Sequence, residues 1–383
     1  MIQQKFSRKQ ASLLARHARF TALITIPNFE TTHFTPRLQY FWSNACMAEI
    51  PVISNRILHG MPAFIRREMG PKALLQANRA VGFDLELIEG ENCFIPHAAV
   101  IGFVEAAARA AGEANFGVLI APMMNVANYG SYGRYVMGAG TLGKAIERAI
   151  SGLCFHSTDD RMSVAIVGNE VRYSYVFALA GRTGWGNTAC AAAGVLLSLF
   201  RAYLPPDWRP LRVELDTDRP SQTRLFEDVF QCPVHFNAPA VTIVTERHHL
   251  SAMARSTSWP IVTIEDVARD RRGGAPRDLL NVILEQIRTQ VLTGSISIDS
   301  TALLMDTSVR TLQRELNRAG TDFRSLANVV RAQRATELLR HTNDSITRVS
   351  AELGYSSPAN FARAFRKATG NGPREFRSEG ELK

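Results

Sequence analysis

The sequence predicts a chain of the α+β class, in which an α+β N-terminal domain is followed by an all-α C-terminal domain. Three observations support this prediction. Apolar helices are mixed with short strands in the middle of the chain, only helical patterns follow toward its end, and two of those patterns repeat each other as helix-turn-helix motifs. A length of 383 residues also exceeds that of one ordinary domain.

Residues 1–57 show no clear helix or strand period, and Pro, Thr and Asn are common among them. The apolar stretch from Ala22 to Ile26 is too short for a signal peptide and is interrupted at once by Pro27. Two interpretations stay open. The segment is a poorly structured extension, or the chain as written starts upstream of its true beginning, for which Met47 is an internal candidate.

Residues 58–255 are expected to form a globular α+β domain. Its predicted elements are helices over 96–111, 142–153 and 188–203, a hairpin over 162–177, and strands over 212–216 and 241–245. The hairpin prediction rests on Gly168-Asn169, because a two-residue turn needs residues that tolerate positive φ. Gly112 and the pair Pro205-Pro206 would end the first and the third helix.

Two glycine-rich segments in this domain resemble the sequence motifs of nucleotide-binding loops. The segment from Gly138 to Gly143 has the spacing of a dinucleotide fingerprint, but a buried strand should precede it and a parallel strand should follow. A Gly- and Tyr-rich stretch precedes it and a hairpin follows. We therefore interpret Thr141 as the cap of a helix. The loop from Gly181 to Gly186 lacks the Lys-Ser/Thr of a phosphate-binding loop.

The sequence predicts no metal site and no cofactor. His248-His249 has no third ligand at a useful spacing, and the five cysteines are scattered without a Cys-x-x-Cys pair. Reduced thiols and a cytoplasmic location are the expectation. No apolar run reaches the 18 or so residues that a membrane span requires, so no membrane association is expected.

Residues 256–276 are predicted to be a linker, since 269–276 is charged and contains Gly and Pro. The C-terminal domain then spans 277–379, with helix-turn-helix motifs at 297–319 and 345–369. Between the motifs, apolar residues at helical spacing predict one helix over 323–339. At 1.5 Å per residue it would be about 25 Å long, which suits a spacer between two successive major-groove segments.

Each motif contains two serine caps and a tight turn. Ser297 and Ser345 are expected to begin the first helices, and Ser308 and Ser357 the second. Gly354 suits the positive φ of the second turn. Asp306 stands at the same place in the first motif and tolerates that conformation better than most residues.

The second helix of each motif has an apolar side and a polar, basic side. Leu312 and Leu316 match Phe361 and Phe365 on the apolar sides. The residues predicted to bind DNA are those of the polar sides, Arg310, Gln313, Arg314, Asn317, Arg318, Ala359, Asn360, Arg363, Arg366 and Lys367. Arg314 and Arg363 share one register, and an arginine there suits bidentate contact with guanine.

Residues 277–377 resemble the DNA-binding domain of the AraC/XylS family of bacterial transcription regulators. The segments 360–370 and 373–377 lie close to the signature of that family, whereas Asp306 departs from its usual Gly and Ser350 from its common Ala. The resemblance implies that the base contacts come from early and middle positions of both second helices. In this chain those positions are Arg310, Gln313, Arg314, Ala359, Asn360 and Arg363.

The N-terminal region resembles, more loosely, the ligand-sensing domain of one subset of this family. The resemblance lies in 112–117, 141–145, 206–210 and 230–236. It implies a domain that binds a small effector or mediates dimer contacts and that is not the sugar-binding barrel of the founding member. Double-stranded DNA, a small-molecule effector, RNA polymerase and a second copy of the chain are the implied partners, and activation is favoured over repression.

The distribution of charge along the chain agrees with a DNA-binding domain joined to a ligand-sensing domain. Residues 300–377 carry a net charge of +6, 1–57 carry +5, and 58–299 carry −1. A basic C-terminal domain beside a nearly neutral body suits a DNA-binding protein with a sensor. Two alternative functions agree less well with the sequence. An enzyme fused to a DNA-binding module would need an activated cysteine or a metal cluster, and an architectural DNA-binding protein would not need the large neutral body. A ligand-responsive transcription regulator that is not an enzyme is the expected function.

Overall fold

A computed structural model describes residues 50–255 and 261–381 of the chain. We call residues 50–255 the N-terminal domain and residues 277–381 the C-terminal domain. The expectations for residues 1–49, including Met47 as an alternative start, lie outside the described residues. None of the described helices is both long and apolar enough to cross a membrane.

The N-terminal domain mixes helices with two sheets. Its strands are β1 (Val52–Ser54), β2 (Phe94–Pro96), β3 (Arg161–Val167), β4 (Glu170–Val176), β5 (Arg212–Glu214), β6 (Val234–His235) and β7 (Val241–Glu246). Its helices are α1 (Met61–Met69), α2 (Pro71–Val81), α3 (Leu85–Ile88), α4 (His97–Ala111), α5 (Phe116–Ile120), α6 (Gly130–Met137), α7 (Leu142–Gly152), α8 (Trp185–Tyr203) and α9 (Thr223–Phe230). Short 3-10 turns lie at Asn55–Leu58, Ala121–Met123, Val126–Asn128, Leu153–Phe155 and Arg247–Ser251.

The larger sheet has the strand order β3-β4-β7-β5-β6, antiparallel except for the parallel pair β5-β6. Its hairpin turns at Gly168-Asn169 as predicted, with Val167 paired to Glu170. Along β4 every second residue is buried, which places Val171, Tyr173 and Tyr175 on one face. This period of two directs one face of the sheet toward the helices and the other toward solvent.

Helix α8 is the centre of the N-terminal domain, and most of its residues are buried. It packs so closely on the neighbouring 3-10 turn that a Cβ at Gly194 would lie 2.1 Å from the carbonyl oxygen of Ala121. Only glycine permits this approach. The predicted helices over 96–111, 142–153 and 188–203 are thus present as α4, α7 and α8, with small changes of boundary.

The segment that imitates a dinucleotide fingerprint is a helix start. The side chain of Thr141 accepts a hydrogen bond from the backbone N–H of Lys144 at 3.3 Å and begins α7. Helix α6 precedes the segment where a nucleotide fold would have a strand, and an antiparallel hairpin follows it.

The boundary expected at residue 57 lies too late. Val52 to Ser54 form β1, which pairs antiparallel with β2, and Val52 and Ile53 are fully buried. A three-residue strand is too short to show a period of two, which is why the sequence pattern did not reveal it.

The segment expected to be a linker is also part of the packed fold in its described portion. It contains helix α10 (Ile264–Asp270), which begins with a capping box between Thr263 and Asp266. Arg271 follows with only 1% of its surface exposed. A charged, Gly-rich composition predicts an open linker, but here the charge is satisfied by specific partners, described below. Residues 256–260 lie outside the described residues.

The C-terminal domain is all-helical, as predicted. Its helices are α11 (Leu279–Leu292), α12 (Ile298–Leu304), α13 (Val309–Arg318), α14 (Phe323–His341), α15 (Ile346–Glu352), α16 (Pro358–Thr369) and α17 (Pro373–Glu381). The predicted spacer helix is α14. It begins at Phe323 as predicted, capped by the side chain of Asp322, and ends two residues later than expected, at His341.

Candidate DNA-binding surface and ligand cavity

Helix α13 is the first of the two helices predicted to bind DNA. The Oγ atom of Ser308 accepts a hydrogen bond from the backbone N–H of Thr311 at 3.1 Å, as expected for the cap. Leu312 and Leu316 are fully buried and fix the helix on one side. The opposite side is an open surface lined by Arg310, Gln313, Arg314, Asn317 and Arg318.

One acidic side chain orients two of these arginines. Glu315 is buried and accepts hydrogen bonds from Arg314 Nε at 3.2 Å and from Arg318 Nη1 at 2.8 Å. Burial by itself raises the pKa of this carboxyl, but the bonds from the two arginines outweigh it, and the pKa is lowered. The arginine side chains stay 58% and 60% exposed, so their remaining donors are available to a partner.

Helix α16 is the second predicted DNA-binding helix. Ser357 caps it, Pro358 occupies its first position, and Phe361 and Phe365 are buried. Its exposed side carries Ala359, Asn360, Arg363, Arg366 and Lys367. Arg363 Nη2 donates to Asn360 Oδ1 at 2.7 Å, and Asn360 Nδ2 donates to Ser356 Oγ at 2.9 Å. This short network holds the arginine and the amide side by side.

The turns before α13 and α16 have the conformation that the sequence predicts. Gly354 has a φ of 71° and Asp306 a φ of 51°. Asp306 also pairs with Arg182 of the N-terminal domain at 2.9 Å. The structure therefore places all ten predicted residues on the exposed sides of two helices of similar construction.

The N-terminal domain encloses a cavity of about 50 Å³. The cavity is lined by Ile57, Leu58, Met61, Val100, Val104, Met124, Val126, Tyr129, Tyr132, Ala149, His156, Met162, Tyr173, Tyr175, Thr188, Ala191, Ala192, Val195, Leu196 and Leu199. None of these described lining residues is acidic, lysine or arginine. Sequence analysis named none of them as ligand-binding residues, since an apolar cavity wall and an apolar core have the same sequence pattern.

Two polar side chains of this wall lack hydrogen-bond partners. Thr188 Oγ1 and His156 Nδ1 are buried and make no hydrogen bond within the described protein. The imidazole of His156 stacks between the rings of Tyr129 and Tyr132, with centroids 4.6 and 5.1 Å away. Burial, with the nearby charge of Arg271, lowers the pKa of His156 well below its ordinary value, so the ring is neutral at neutral pH.

Strand β2 joins the two domains through α11. The backbone N–H of Phe94 donates to Glu285 Oε1 at 3.2 Å, and Gln286 Nε2 donates to the carbonyl oxygen of Phe94 at 3.1 Å. Phe94 and Val52 belong to the hydrophobic core of the C-terminal domain. In return, Leu304 of α12 is buried in the core of the N-terminal domain.

Arg271 connects this junction to the cavity wall. It donates to Ser54 Oγ at 2.8 Å and to the carbonyl oxygen of Tyr129 at 3.1 Å, and its guanidinium lies 5.9 Å from the ring centroid of Phe94. Burial lowers its pKa to about 10, so it remains charged at neutral pH. The next residue, Arg272, pairs with Glu285 at 2.9 Å. The role of these two arginines could not be recognised from the sequence, since charged residues in a Gly-rich segment carry no sign of burial.

The prediction that no third potential metal ligand lies near His248-His249 is wrong. Potential ligand atoms of Glu246, His248 and His249 lie within 4.8 Å of one another. However, His248 is two-thirds exposed and pairs with Glu246, and His249 Nδ1 lies 2.7 Å from Thr245 Oγ1. These contacts account for the group without a metal ion.

Two family comparisons match the two domains. Residues 72–253 match the family described as the N-terminal arabinose-binding domain of AraC transcription regulator, and residues 277–379 match a helix-turn-helix domain family. Together the two matches cover about three quarters of the chain. The segment between them, residues 254–276, contains α10 and Arg271.

Individual relatives agree with these matches. The ornithine utilization regulator of Pseudomonas aeruginosa is 25% identical over 278 residues, which is 70% of this chain and 79% of that protein. The regulator VqsM of the same organism is 33% identical over 105 residues, or 27% of this chain and 31% of that protein. Among solved structures, the transcriptional regulator CdpR of Pseudomonas aeruginosa is 22% identical with a TM-score of 0.33, covering 68% of this chain and 86% of that chain.

The matched families and relatives are transcription regulators rather than enzymes. The N-terminal domain, with its open mixed sheet, corresponds to the ligand-sensing part and the C-terminal domain to the DNA-binding part. The chain therefore belongs to the AraC family of transcription regulators and is a DNA-binding, effector-responsive regulator.

Proposed function

We propose that α13 and α16 enter two successive major-groove segments of one DNA duplex. The observation that carries this proposal is the shared construction of the two helices, each capped by serine, buried on its apolar side and exposed on its basic side. Helix α14 has 19 residues and a length of about 28 Å, comparable with the spacing of about 34 Å between groove segments on one side of DNA.

In this proposal the ten exposed residues divide into two roles. Arg310, Gln313, Arg314, Ala359, Asn360 and Arg363 face the base edges. Asn317, Arg318, Arg366 and Lys367 lie later in the same helices and bind phosphates. Support for the first role comes from the Arg363–Asn360 network, because a pre-oriented guanidinium loses less freedom when it binds guanine O6 and N7.

Alanine substitution of Arg314 and Arg363 tests the base-reading role. A duplex is first selected by the full chain from a random-sequence pool. Each variant should bind this duplex with a Kd about 5- to 150-fold higher, corresponding to 1–3 kcal/mol, and should lose preference at one base pair. On random DNA the loss should be much smaller.

Arg224→Ala is the matched control, since it removes the same charge from a fully exposed arginine of α9. It should leave binding of the selected duplex unchanged. An equal loss on selected and random DNA for Arg314→Ala or Arg363→Ala would assign that arginine to a phosphate and contradict the proposal.

The same proposal treats 58–255, extended by 50–57, as the effector-binding unit and 277–379 as the DNA-binding unit. Effector binding would alter DNA affinity through the junction of Phe94 with Glu285 and Gln286. An effector can act only by favouring one arrangement of the domains over another. Ordinary coupling is about 1–3 kcal/mol, or about 5- to 150-fold in affinity.

The sign of regulation and the protein partners belong to the proposal too. Relatives include the F1 operon positive regulatory protein of Yersinia pestis and the urease operon transcriptional activator of Escherichia coli. On this basis the chain is an activator that contacts RNA polymerase and works as a homodimer through its N-terminal domain. Sedimentation of the full chain measures directly whether it is a homodimer.

The names of the comparisons suggest two effectors, arabinose and ornithine. The cavity wall suits neither of them. Arabinose carries several hydroxyl groups and ornithine carries net charge, and each such group costs free energy when it is buried without a partner. The cavity wall has few polar atoms and no charged side chain among its described residues.

A further inference from the structure

We propose that the cavity of the N-terminal domain binds a small, uncharged molecule with an apolar body and a hydroxyl or carbonyl group, held by Thr188 and His156. This inference rests on the proposed effector role of the domain and specifies the chemistry of the ligand. It is carried by an enclosed apolar wall in which two buried polar atoms have no partner.

The apolar wall selects for an apolar body. Aliphatic side chains of α4 and α8 line the cavity together with the rings of Tyr129, Tyr132, Tyr173 and Tyr175. Removing a ligand's apolar surface from water is favourable by about 25 cal/mol per Å². Such sites are typically lined by hydrophobic and aromatic groups, and a few polar groups fix the orientation of the ligand.

The two unpartnered atoms supply the orientation. A buried polar group without a partner destabilises the folded state, and a ligand that bonds to it recovers part of that cost. The hydroxyl of Thr188 can donate or accept, and a neutral imidazole has one donor and one acceptor nitrogen. A hydroxyl or carbonyl group of the ligand matches this pair without introducing charge.

A carboxylate bonded to the wall residue Tyr175 does not alter this conclusion. Asp160 accepts hydrogen bonds from Tyr175 at 2.7 Å, from His97 at 2.9 Å and from the backbone N–H of Ala178 at 2.8 Å. These bonds occupy both of its oxygens. Asp160 is itself absent from the cavity wall.

The cavity must widen to admit such a ligand. Its volume of about 50 Å³ is below the 150 Å³ or so of an engineered protein cavity that holds benzene. Met61, Met124 and Met162 line the wall, and methionine changes conformation more easily than branched side chains. Movement of the wall near Tyr129 would reach Arg271, which is bonded to the Tyr129 carbonyl.

The test uses the full chain and p-cresol, with toluene as the analogue that lacks the hydroxyl. Binding is measured by thermal shift and by saturation-transfer NMR. p-Cresol should raise the Tm, because a ligand that binds only the folded state stabilises it. L-Arabinose and L-ornithine should leave the Tm unchanged.

Two variants locate the site. Ala192→Leu adds three carbon atoms to the wall and should abolish the shift, whereas Ala63→Leu makes the same change on the exposed side of α1 and should retain it. Thr188→Val keeps the shape and removes the hydroxyl. It should weaken p-cresol about 2- to 10-fold, as expected for one neutral hydrogen bond, and leave toluene unchanged.

The inference is overturned if p-cresol does not bind, if it stabilises Ala192→Leu as much as the unsubstituted chain, or if L-arabinose or L-ornithine raises the Tm. A different result separates it from the proposed function. If p-cresol binds in the cavity without changing affinity for the selected duplex, the ligand class is supported and the link between cavity and DNA binding fails.

Discussion

At the scale of single residues, the buried polar groups of this regulator differ in their hydrogen-bond partners. The guanidinium of Arg271 is bonded to Ser54 and Tyr129, and the carboxyl of Glu285 to Arg272, Arg288 and the backbone of Phe94. These bonds offset much of the desolvation of the two groups, although Arg271 Nε has no partner. His156 Nδ1 and Thr188 Oγ1 also have none, and their residues line the cavity, which Arg271 does not. The bonds indicate a structural role for Arg271 and Glu285, and the position in the cavity wall leaves the other two groups for a ligand.

His156 makes the stability of the N-terminal domain sensitive to acid. The pKa of His156 is lowered in the folded state. Below about pH 6.5 this histidine is therefore protonated in the unfolded chain while it stays neutral in the folded chain. The contribution of His156 is complete above that pH and is lost as the pH falls toward the folded pKa. The loss should be on the order of 1 kcal/mol at pH 5.5.

His156→Phe keeps an aromatic ring between Tyr129 and Tyr132 and removes the titration. Urea unfolding at pH 7.5 and 5.5, followed by tryptophan fluorescence, measures the difference. The chain has no tryptophan after residue 259, so the signal does not report on the C-terminal domain. The variant should lose less stability between the two pH values than the unsubstituted chain. An equal loss would assign the acid sensitivity to other groups.

At the scale of elements, the sequence was most informative where a local signal decides the structure. Four serine caps, the Gly168-Asn169 hairpin and the Thr141 cap all lie where they were predicted. Each depends on hydrogen bonds or φ angles within a few residues. Strands β1, β2 and β6 were missed, since two or three residues carry no period and are defined by distant partners.

The turn between α15 and α16 gives a test of such a local signal. Gly354 has a φ of 71°, and a Cβ there would meet only ordinary contacts at 3.8 Å. Gly354→Ala should therefore measure backbone strain alone, about 1–2 kcal/mol. Hydrogen exchange of the amides in 345–370 should become about 5- to 30-fold faster.

Gly354→Asn is the control for this experiment, because asparagine visits the left-handed region more readily than alanine. It should raise the exchange rates less than Gly354→Ala. Equal acceleration by the two substitutions would show that the side chain, rather than the positive φ, disturbs the motif.

At the scale of the whole molecule, the two domains share their cores. Val52 and Phe94 complete the core of the C-terminal domain, and Leu304 of the first helix-turn-helix lies in the core of the N-terminal domain. This packing of residues from one domain in the core of the other could not be predicted from the sequence, because each apolar residue is also consistent with packing inside its own domain. The same holds for the cavity, whose wall residues come from separate segments between 57 and 199.

Shared cores make the stability of the C-terminal domain depend on residues outside it. A fragment of residues 275–383 contains its own caps and apolar helix faces, so it should fold alone and bind DNA. Its affinity should fall steeply with salt, because lysine and arginine contacts with phosphates release counterions. It lacks Val52 and Phe94, however, and should be less stable than the same residues in the full chain.

Phe94→Ala in the full chain tests the loss of this side chain from the C-terminal core without removing the N-terminal domain. Phe94 is 2% exposed, and removing a buried phenylalanine side chain costs about 3–5 kcal/mol. The backbone bonds of Phe94 to Glu285 and Gln286 remain possible in the variant, so the loss reports on packing. Amides of 279–292 should exchange faster in both Phe94→Ala and the fragment, while amides of 185–203 in the variant should change less. Protection of 279–292 that is equal in all three proteins would show that the C-terminal domain is independent of β2 and that this junction carries no coupling between the domains.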